Sequence, residues 1–321
     1  MIRQAALSVL ATPPVLAVLR RRALKDDPVT ILCYHTLAPD TGGADSWTAL
    51  RAGDFRAQLS YLRRAYDIVD LETALEGSPE GGRGRRPRAV LTFDDGDRGL
   101  HAHLLPILRE TPVPVTIYVA TEQIEEGRPF WFDRVVNALQ GAGEIEVGGL
   151  GRFRLPGGGG KAQWAAIRPI LQALKATPPA DRERLADLVV AQGGPAPSPA
   201  LGPMTKDQLA DLAAHDGVTI GAHSHGHELL DQIPLAAAEA SVARSRDALR
   251  DWTGQEVRHF AFPNGNHSAA LRDMVMRLGF ASAAILEERT APRGCDPFAL
   301  PRLSVGRYDD ATRLKLRLVG I

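Results

Sequence analysis

Two neighbouring aspartates, Asp94 and Asp95, end an apolar run in Thr92-Phe93-Asp94-Asp95-Gly96. Adjacent side chains on a strand point to opposite faces. At a strand end followed by glycine, the chain can turn so that both carboxylates address one cleft. Two such charges repel, and a metal that neutralises one makes the pair tolerable. A helix-capping Asp-Gly turn explains the same residues equally well. A second cluster, Gly221-Ala222-His223-Ser224-His225-Gly226-His227, also follows an apolar run. Neutral imidazole is the commonest protein metal ligand. His223 and His227 can converge on one ion if the chain turns through Gly226, with His225 behind them or at the surface. Structural histidines are the weaker alternative. A third stretch, Arg258-His259-Phe260-Ala261-Phe262-Pro263-Asn264-Gly265, reads alone as an aromatic strand and a turn.

The elements that must position these clusters are legible as short apolar runs. Strands are expected at 29–34, 89–93, 113–119, 218–222, 259–263, 281–286 and 300–305. Near-continuous apolar strands alternating with helical patterns indicate a parallel sheet covered by helices. Seven strands suit one barrel better than two domains. Thr205 and Gln208 form a capping box. Pro234 and Gly254 bracket another helix, and Ser268 and Gly279 a third. Residues 77–88 read as an exposed basic loop. The stretch 122–204 is a long insertion with helical patterns near 131–140, 163–176 and 181–192. Phe130, Trp131 and Phe132 open it. They read first as local core, with a wall for stacking sugar rings as the alternative.

The chain has 321 residues with 38 basic and 38 acidic side chains, so nothing pulls it as a whole toward nucleic acid. Two cysteines, Cys33 and Cys295, imply neither a disulfide framework nor a cysteine-built zinc site. Residues 1–28 form a separate N-terminal segment, and the main domain spans 29–321. The apolar run 5–19 is broken by Pro13-Pro14 and is too short to span a bilayer. It reads as a retained helix that packs on the domain or rests weakly on a membrane surface. That favours a cytoplasmic protein, with export as the alternative.

Taken in order, TFDDG, HSxxH and RxFxxPxG resemble the central motifs of the polysaccharide deacetylases, also called carbohydrate esterase family four or the NodB homology domain. The resemblance covers roughly residues 29–305. It implies a distorted (β/α)7 TIM-like barrel, here with a long helical insertion at about 122–204. It also implies a metal-dependent hydrolase that removes acetyl groups from an acetylated glycan by metal-activated water. By position, Asp94 resembles the general base, and Asp95, His223 and His227 the metal ligands. Arg258 resembles the arginine that orients the base. Pro263 resembles the groove wall, and the Asn264 N–H the oxyanion donor. Three such ligands suit zinc, and cobalt, nickel or iron also fit.

The chain departs from the family pattern in places. The late Leu-x-His motif is missing, since no histidine follows His267. His35, at the end of the first strand, is the replacement for the general acid, an arrangement similar to the poly-N-acetylglucosamine deacetylase branch. Asp97 stands where relatives often carry an aromatic residue or proline. The late Asp-Trp motif is not evident, and Asp296 and Arg302 occupy that region without an assigned role. The leading expectation is an N-deacetylase of acetamido sugars in a polysaccharide or its precursor. An O-acetyl esterase or amidase on the same fold is one alternative, and a non-catalytic glycan-binding domain is the other.

Overall fold

The computed structural model describes residues 12, 14–16, 18, 19, 28–76, 86–148, 151–157 and 159–320. Seven parallel strands form the continuous run of its main sheet, β1 (Thr30–Tyr34), β2 (Arg88–Phe93), β3 (Val115–Val119), β4 (Val218–Ala222), β5 (His259–Ala261), β6 (Ser282–Ala284) and β7 (Leu303–Ser304), and a short eighth, Asp67–Ile68, pairs with the start of β2 off that run. Their spatial order is β7-β1-β2-β3-β4-β5-β6. The chain therefore steps steadily around the sheet, and its last strand returns beside the first. A bridge between Ala284 and Leu300 crosses the remaining seam. The result is the curled (β/α)7 barrel expected from the alternation of apolar strands and helices. β1, β2 and β3 are buried along their whole length, as a strand flanked on both faces by protein must be.

The observed strands match the seven expected runs, although β5 to β7 are shorter. Short strands add to them: Thr36–Ala38 pairs with Ala49–Arg51, and Glu144–Val147 forms a hairpin with Gly151–Arg154. These carry weak apolar signals because much of the hairpin faces solvent.

Helices cover the sheet and build the insertion. We label α1 (Ala52–Ala65), α2 (Trp131–Leu139), α3 (Gly160–Lys175), α4 (Pro179–Gln192), α5 (Lys206–Ala213), α6 (Leu235–Thr253), α7 (Ala269–Arg277) and α8 (Ala311–Arg317). The capping box at α5 is formed: Thr205 Oγ1 accepts from the Gln208 N–H, and Gln208 Oε1 accepts from the Thr205 N–H. Gly254 and Gly279 end α6 and α7 with left-handed φ of 69° and 88°, a conformation glycine adopts without steric cost.

Two large cores and two smaller clusters result among the described residues. In the first large core Leu32, Leu91, Ile117, Ile220 and Phe260 of the strands pack with helix residues such as Phe55, Leu212 and Val242, while Ile31, Val90, Tyr118, Ala261 and Ala284, at alternate strand positions, form a smaller cluster. The second large core belongs to the insertion, where Val135 and Leu139 of α2 meet Ile167 and Ile170 of α3 and Val189 of α4. Ala38, Ala44 and Ala49 join that second core, so the insertion is seated on the short ribbon that follows β1.

The basic loop at 77–88 lies outside the described residues up to position 85, and Arg88 opens β2 rather than the loop. Most of the N-terminal segment is outside them too. Of its described part, Leu16 is buried and packs with Leu19 against Leu316 and Val319. Among the described residues no helix is long and apolar enough to cross a membrane.

Candidate active site

The carboxyl ends of the strands deliver the chemistry-bearing side chains to one cavity of about 470 Å³. At the end of β2 the backbone turns sharply. The Asp94 N–H donates to the Tyr34 carbonyl (2.9 Å), while Asp95 and Gly96 adopt φ of 78° and 86°. Aspartate tolerates the left-handed region better than most residues. Gly96 is also tightly placed, since a Cβ there would sit 3.0 Å from Val119 Cγ1. This turn brings both carboxylates into the same cavity.

His223 and His227 arrive from the loop after β4. Ser224 and His227 also have positive φ, at 62° and 55°. With Asp95 and Asn264 they are the non-glycine residues with positive φ among the described residues. Strained backbone of this kind concentrates at functional sites, where the surrounding structure holds it in place. Here Glu228 supplies the hold. Its carboxylate accepts from Ser224 Oγ (2.9 Å), the Gly226 N–H (3.1 Å) and Ser241 Oγ (2.9 Å). The rings of Phe130 and Phe132 stack on each other at 4.8 Å and abut His227 edgewise. His225 turns away, bonded through Nδ1 to Thr121 Oγ1 (2.8 Å).

Asp95 Oδ1 lies 3.3 Å from His227 Nε2 and 3.6 Å from His223 Nε2. That oxygen is buried and has no hydrogen-bond partner. A buried, unsatisfied carboxylate oxygen between two imidazole nitrogens is costly unless a cation completes the site. His223 Nδ1 donates to the Ala261 carbonyl (2.7 Å), which leaves the Nε2 lone pair facing Asp95. Burial pushes the His223 pKa down to about 4, so the ring is neutral at pH 7, the form that ligates metal. Burial opposes ionisation of Asp95, but His227 above all, with His35 and His223, holds its carboxyl below the usual carboxylate range. These residues fit a divalent metal ion.

Asp94 meets a different partner. Arg302 grips it with both ends of its fork: Nη1 donates to Oδ1 and Nη2 to Oδ2, each at 2.7 Å. Arg302 is fully buried. It also donates to Thr92 Oγ1 (3.1 Å) and the Ile285 carbonyl (3.3 Å), and it packs over the Tyr118 ring. The Cys33 thiol donates to Asp94 Oδ2 at 3.3 Å. Burial works against the charged form of Asp94, and the Arg302 guanidinium overrides it, holding the carboxyl below its ordinary range.

Arg258 therefore does not meet Asp94. It stands exposed at the far end of β5 and pairs with Glu72 at 3.2 Å. It precedes β5, at the amino end of the strand, whereas Asp94 and the other cavity residues stand at the carboxyl ends. The contact expected of Arg258 comes instead from Arg302, just before β7. An arginine inside the apolar run 300–305 was the available signal, since an arginine buried in a barrel needs a buried carboxylate. Asp296 lies away from the site, paired with Arg272 (3.1 Å).

His35 lines the cavity, with its ring 5.2 Å from Trp47. One of its ring nitrogens, the Cys33 sulfur and an Asp94 oxygen lie within 4.8 Å of one another. Arg302 already occupies Asp94, so this second group does not suit an ion. His35 Nδ1 is buried without a partner. Asn264 lines the cavity with φ of 58°, and Pro263 is buried beneath it. The aromatic opening of the insertion divides: Phe130 is buried, whereas Trp131 and Phe132 face the cavity. Local core alone does not describe them, because α2 begins beside the loop that carries His223 and His227. Asp97 is no part of the groove floor. Its carboxylate accepts from Thr36 Oγ1 (2.6 Å) and the N–H groups of Gly99 (2.7 Å) and Gly202 (2.8 Å).

The polysaccharide deacetylase family model matches residues 81–151 and 182–283, more than half of the chain. The chain belongs to the polysaccharide deacetylase family. Solved structures agree on the fold of this family member. A Streptococcus pyogenes deacetylase, PplD, described in complex with acetate, is 15% identical with a TM-score of 0.59, over 91% of this chain and 98% of that one. IcaB from Ammonifex degensii is 18% identical with a TM-score of 0.59, over 92% and 98%. A de-N-acetylase from Aggregatibacter actinomycetemcomitans is 14% identical with a TM-score of 0.55, over 90% and 99%. No curated protein matches the chain.

Proposed function

We propose that this polysaccharide deacetylase family member is a metal-dependent N-deacetylase acting on acetamido sugars of a polysaccharide or its precursor. One observation carries the reading: the unsatisfied Asp95 oxygen between His223 and His227, beside an Asp94 locked by Arg302, in a cavity of a size that takes a sugar unit. The names of two similar structures, a deacetylase with acetate and a de-N-acetylase, support removal of an acetyl group from nitrogen.

Asp95, His223 and His227 would hold the ion, with zinc the first choice for one carboxylate and two imidazoles, and cobalt, nickel or iron compatible. When bound, the ion supplies Lewis acidity toward an acetyl carbonyl and acidifies water. Asp94 stays ionised, and Arg302 fixes its direction. It takes a proton from the attacking water as the oxygen adds to the carbonyl carbon. The Asn264 N–H is the donor assigned to the developing oxyanion, with Pro263 shaping the wall beside it. The C–N bond then breaks, and His35 delivers a proton to the departing amine nitrogen. Acetate and a free amine result.

The test is acetate release with metal analysis of the same sample. Asp95→Ala should lose metal and activity together. Asp94→Asn should keep metal and lose about 100-fold or more in kcat. His35→Ala should lower kcat at full metal content. Acetate release from O-acetylated xylan but not from N-acetylglucosamine oligomers would point to an ester substrate instead. Glycan binding by the metal-loaded protein with no turnover of either would sink the enzyme reading.

A further inference from the structure

The cavity has two unlike walls. The barrel contributes the metal-ligand residues and Asp94. The insertion contributes one face of α3, where Trp164, Arg168, Leu171 and Lys175 recur at helical spacing and all line the cavity. Arg182 joins them from α4. Helix α3 lies within residues 152–181, which the family match leaves out. The α3 part of this wall thus lies outside the matched family pattern, whereas Arg182 opens its second matched stretch.

Its charge is unbalanced. The carboxylates that line the cavity are Asp94 and Asp95; Arg302 engages the first and the metal triad uses the second. Among the described residues no carboxylate lies within 4.0 Å of Arg168, Lys175 or Arg182. Arg134 and Arg152 of the insertion are paired, Arg134 with Glu183 at 2.8 Å and Asp187 at 3.0 Å, and Arg152 with Glu146 at 3.2 Å. Arg182 is buried, yet its donors reach only the carbonyls of Leu174, Lys175 and Thr177, and its guanidinium lies over Trp131 at 5.6 Å. Lys175 donates to Asn264 Oδ1, which places its ammonium across the mouth of the catalytic end. Burial and then the nearby Arg182 charge hold the Lys175 ammonium below the usual lysine range. Of the three cations Arg182 is buried, Lys175 half-buried and Arg168 exposed at the cavity's edge, and Glu183, whose charge supports Arg182, is already paired with Arg134. A buried cation without a close counter-charge of its own is costly to keep. An anion entering the cavity relieves that cost, and planar guanidinium groups suit phosphate and carboxylate alike.

We infer that the Arg168, Lys175 and Arg182 wall binds an acidic group, a phosphate or a carboxylate, carried on or next to the acetamido sugar, with the sugar ring against Trp131 and Trp164. The inference rests on the deacetylase reading for its sugar, but the acid-binding wall can be tested by itself. Chain neutrality makes the point sharper, since the attraction is local to this cavity rather than a property of the whole surface.

Two measurements on the metal-loaded protein decide it. In the first, tryptophan fluorescence follows titration with glucosamine 1-phosphate, with a glucosaminyl–glucuronic acid disaccharide and with methyl glucosaminide. At least one acidic ligand should bind ten times more tightly than the neutral one. That preference should weaken with added salt and fall about tenfold or more in Arg168→Gln/Lys175→Met. Whichever acidic ligand prevails identifies phosphate or carboxylate as the group read. In the second, the ratio of kcat/KM for an acidic over a neutral N-acetylated substrate should drop at least tenfold in the same variant. Equal binding of all three ligands, or a ratio unchanged by the substitutions, overturns the inference. Absence of acetate release from every substrate counts against the enzyme reading alone, because the binding measurement still decides the wall.

Discussion

Asp94 and Asp95 are neighbours in the chain and meet opposite surroundings. Asp95 keeps a bare oxygen between two imidazoles, while Asp94 is saturated by one guanidinium. The left-handed turn at Asp95 and Gly96 makes the difference, because it sends two adjacent carboxylates into one cavity along separate directions. A sharp contrast between two arginines follows. Arg302→Ala strands a buried carboxylate and should cost about 3–5 kcal/mol of stability. Arg302→Lys keeps the charge but loses the fork, so kcat should fall about tenfold or more in a folded protein. Arg258→Ala removes an exposed ion pair and should change stability by no more than about 0.5 kcal/mol. Denaturant unfolding and acetate release on the three variants check this. A loss of activity in Arg258→Ala equal to that in Arg302→Lys would return the orienting role to Arg258.

At the level of elements, the insertion is held to the barrel at a few polar points. Asp97 accepts from Thr36 on the ribbon and from Gly202 at the end of the insertion. Inside the insertion, beside that anchor, the Asn137 side chain of α2 exchanges two hydrogen bonds with the Leu201 backbone (2.9 and 3.0 Å). Asp45 takes the Gly160 N–H at the start of α3 and pairs with Arg307 at 2.8 Å. These contacts fix α3 beside the cavity that His223 and His227 also line. Asp97→Ala leaves three buried donors without an acceptor and should destabilise by about 2–3 kcal/mol. Limited proteolysis should then cut the 122–204 region sooner than in the parent chain. Unchanged cleavage would mean that Asn137, Asp45 and the apolar core of the insertion suffice.

For the molecule as a whole, stability should depend on pH through histidines that are buried neutral. His259 is the clearest case outside the candidate metal site. Its Nδ1 is within 2.9 Å of Ser282 Oγ, and burial pushes its pKa from 6.5 to about 4. The unfolded chain binds the proton first as pH falls. The stabilisation is therefore complete above about pH 6.5 and is lost progressively down to about pH 4, up to about 3 kcal/mol in all. Compared with the parent, His259→Gln should show a shallower fall of Tm between pH 6.5 and 4.5. Parallel Tm curves for the two proteins would rule His259 out as the source.

Much of this is legible in the amino-acid sequence. Apolar strands separated by capped helices specify a barrel because burial on both faces demands apolar runs, and Gly254, Gly279, Thr205 and Ser268 mark helix ends by local backbone chemistry. Asp94, Asp95, His223 and His227 were visible as ligand-type residues at strand ends, since metal chemistry needs few residue types in tight spacing. Arg302 in place of Arg258, and the three cations of the insertion facing the cavity, depended on the tertiary structure. Both are contacts between segments far apart in sequence, where one residue of strand register or the packing angle of one helix decides which side chain meets which.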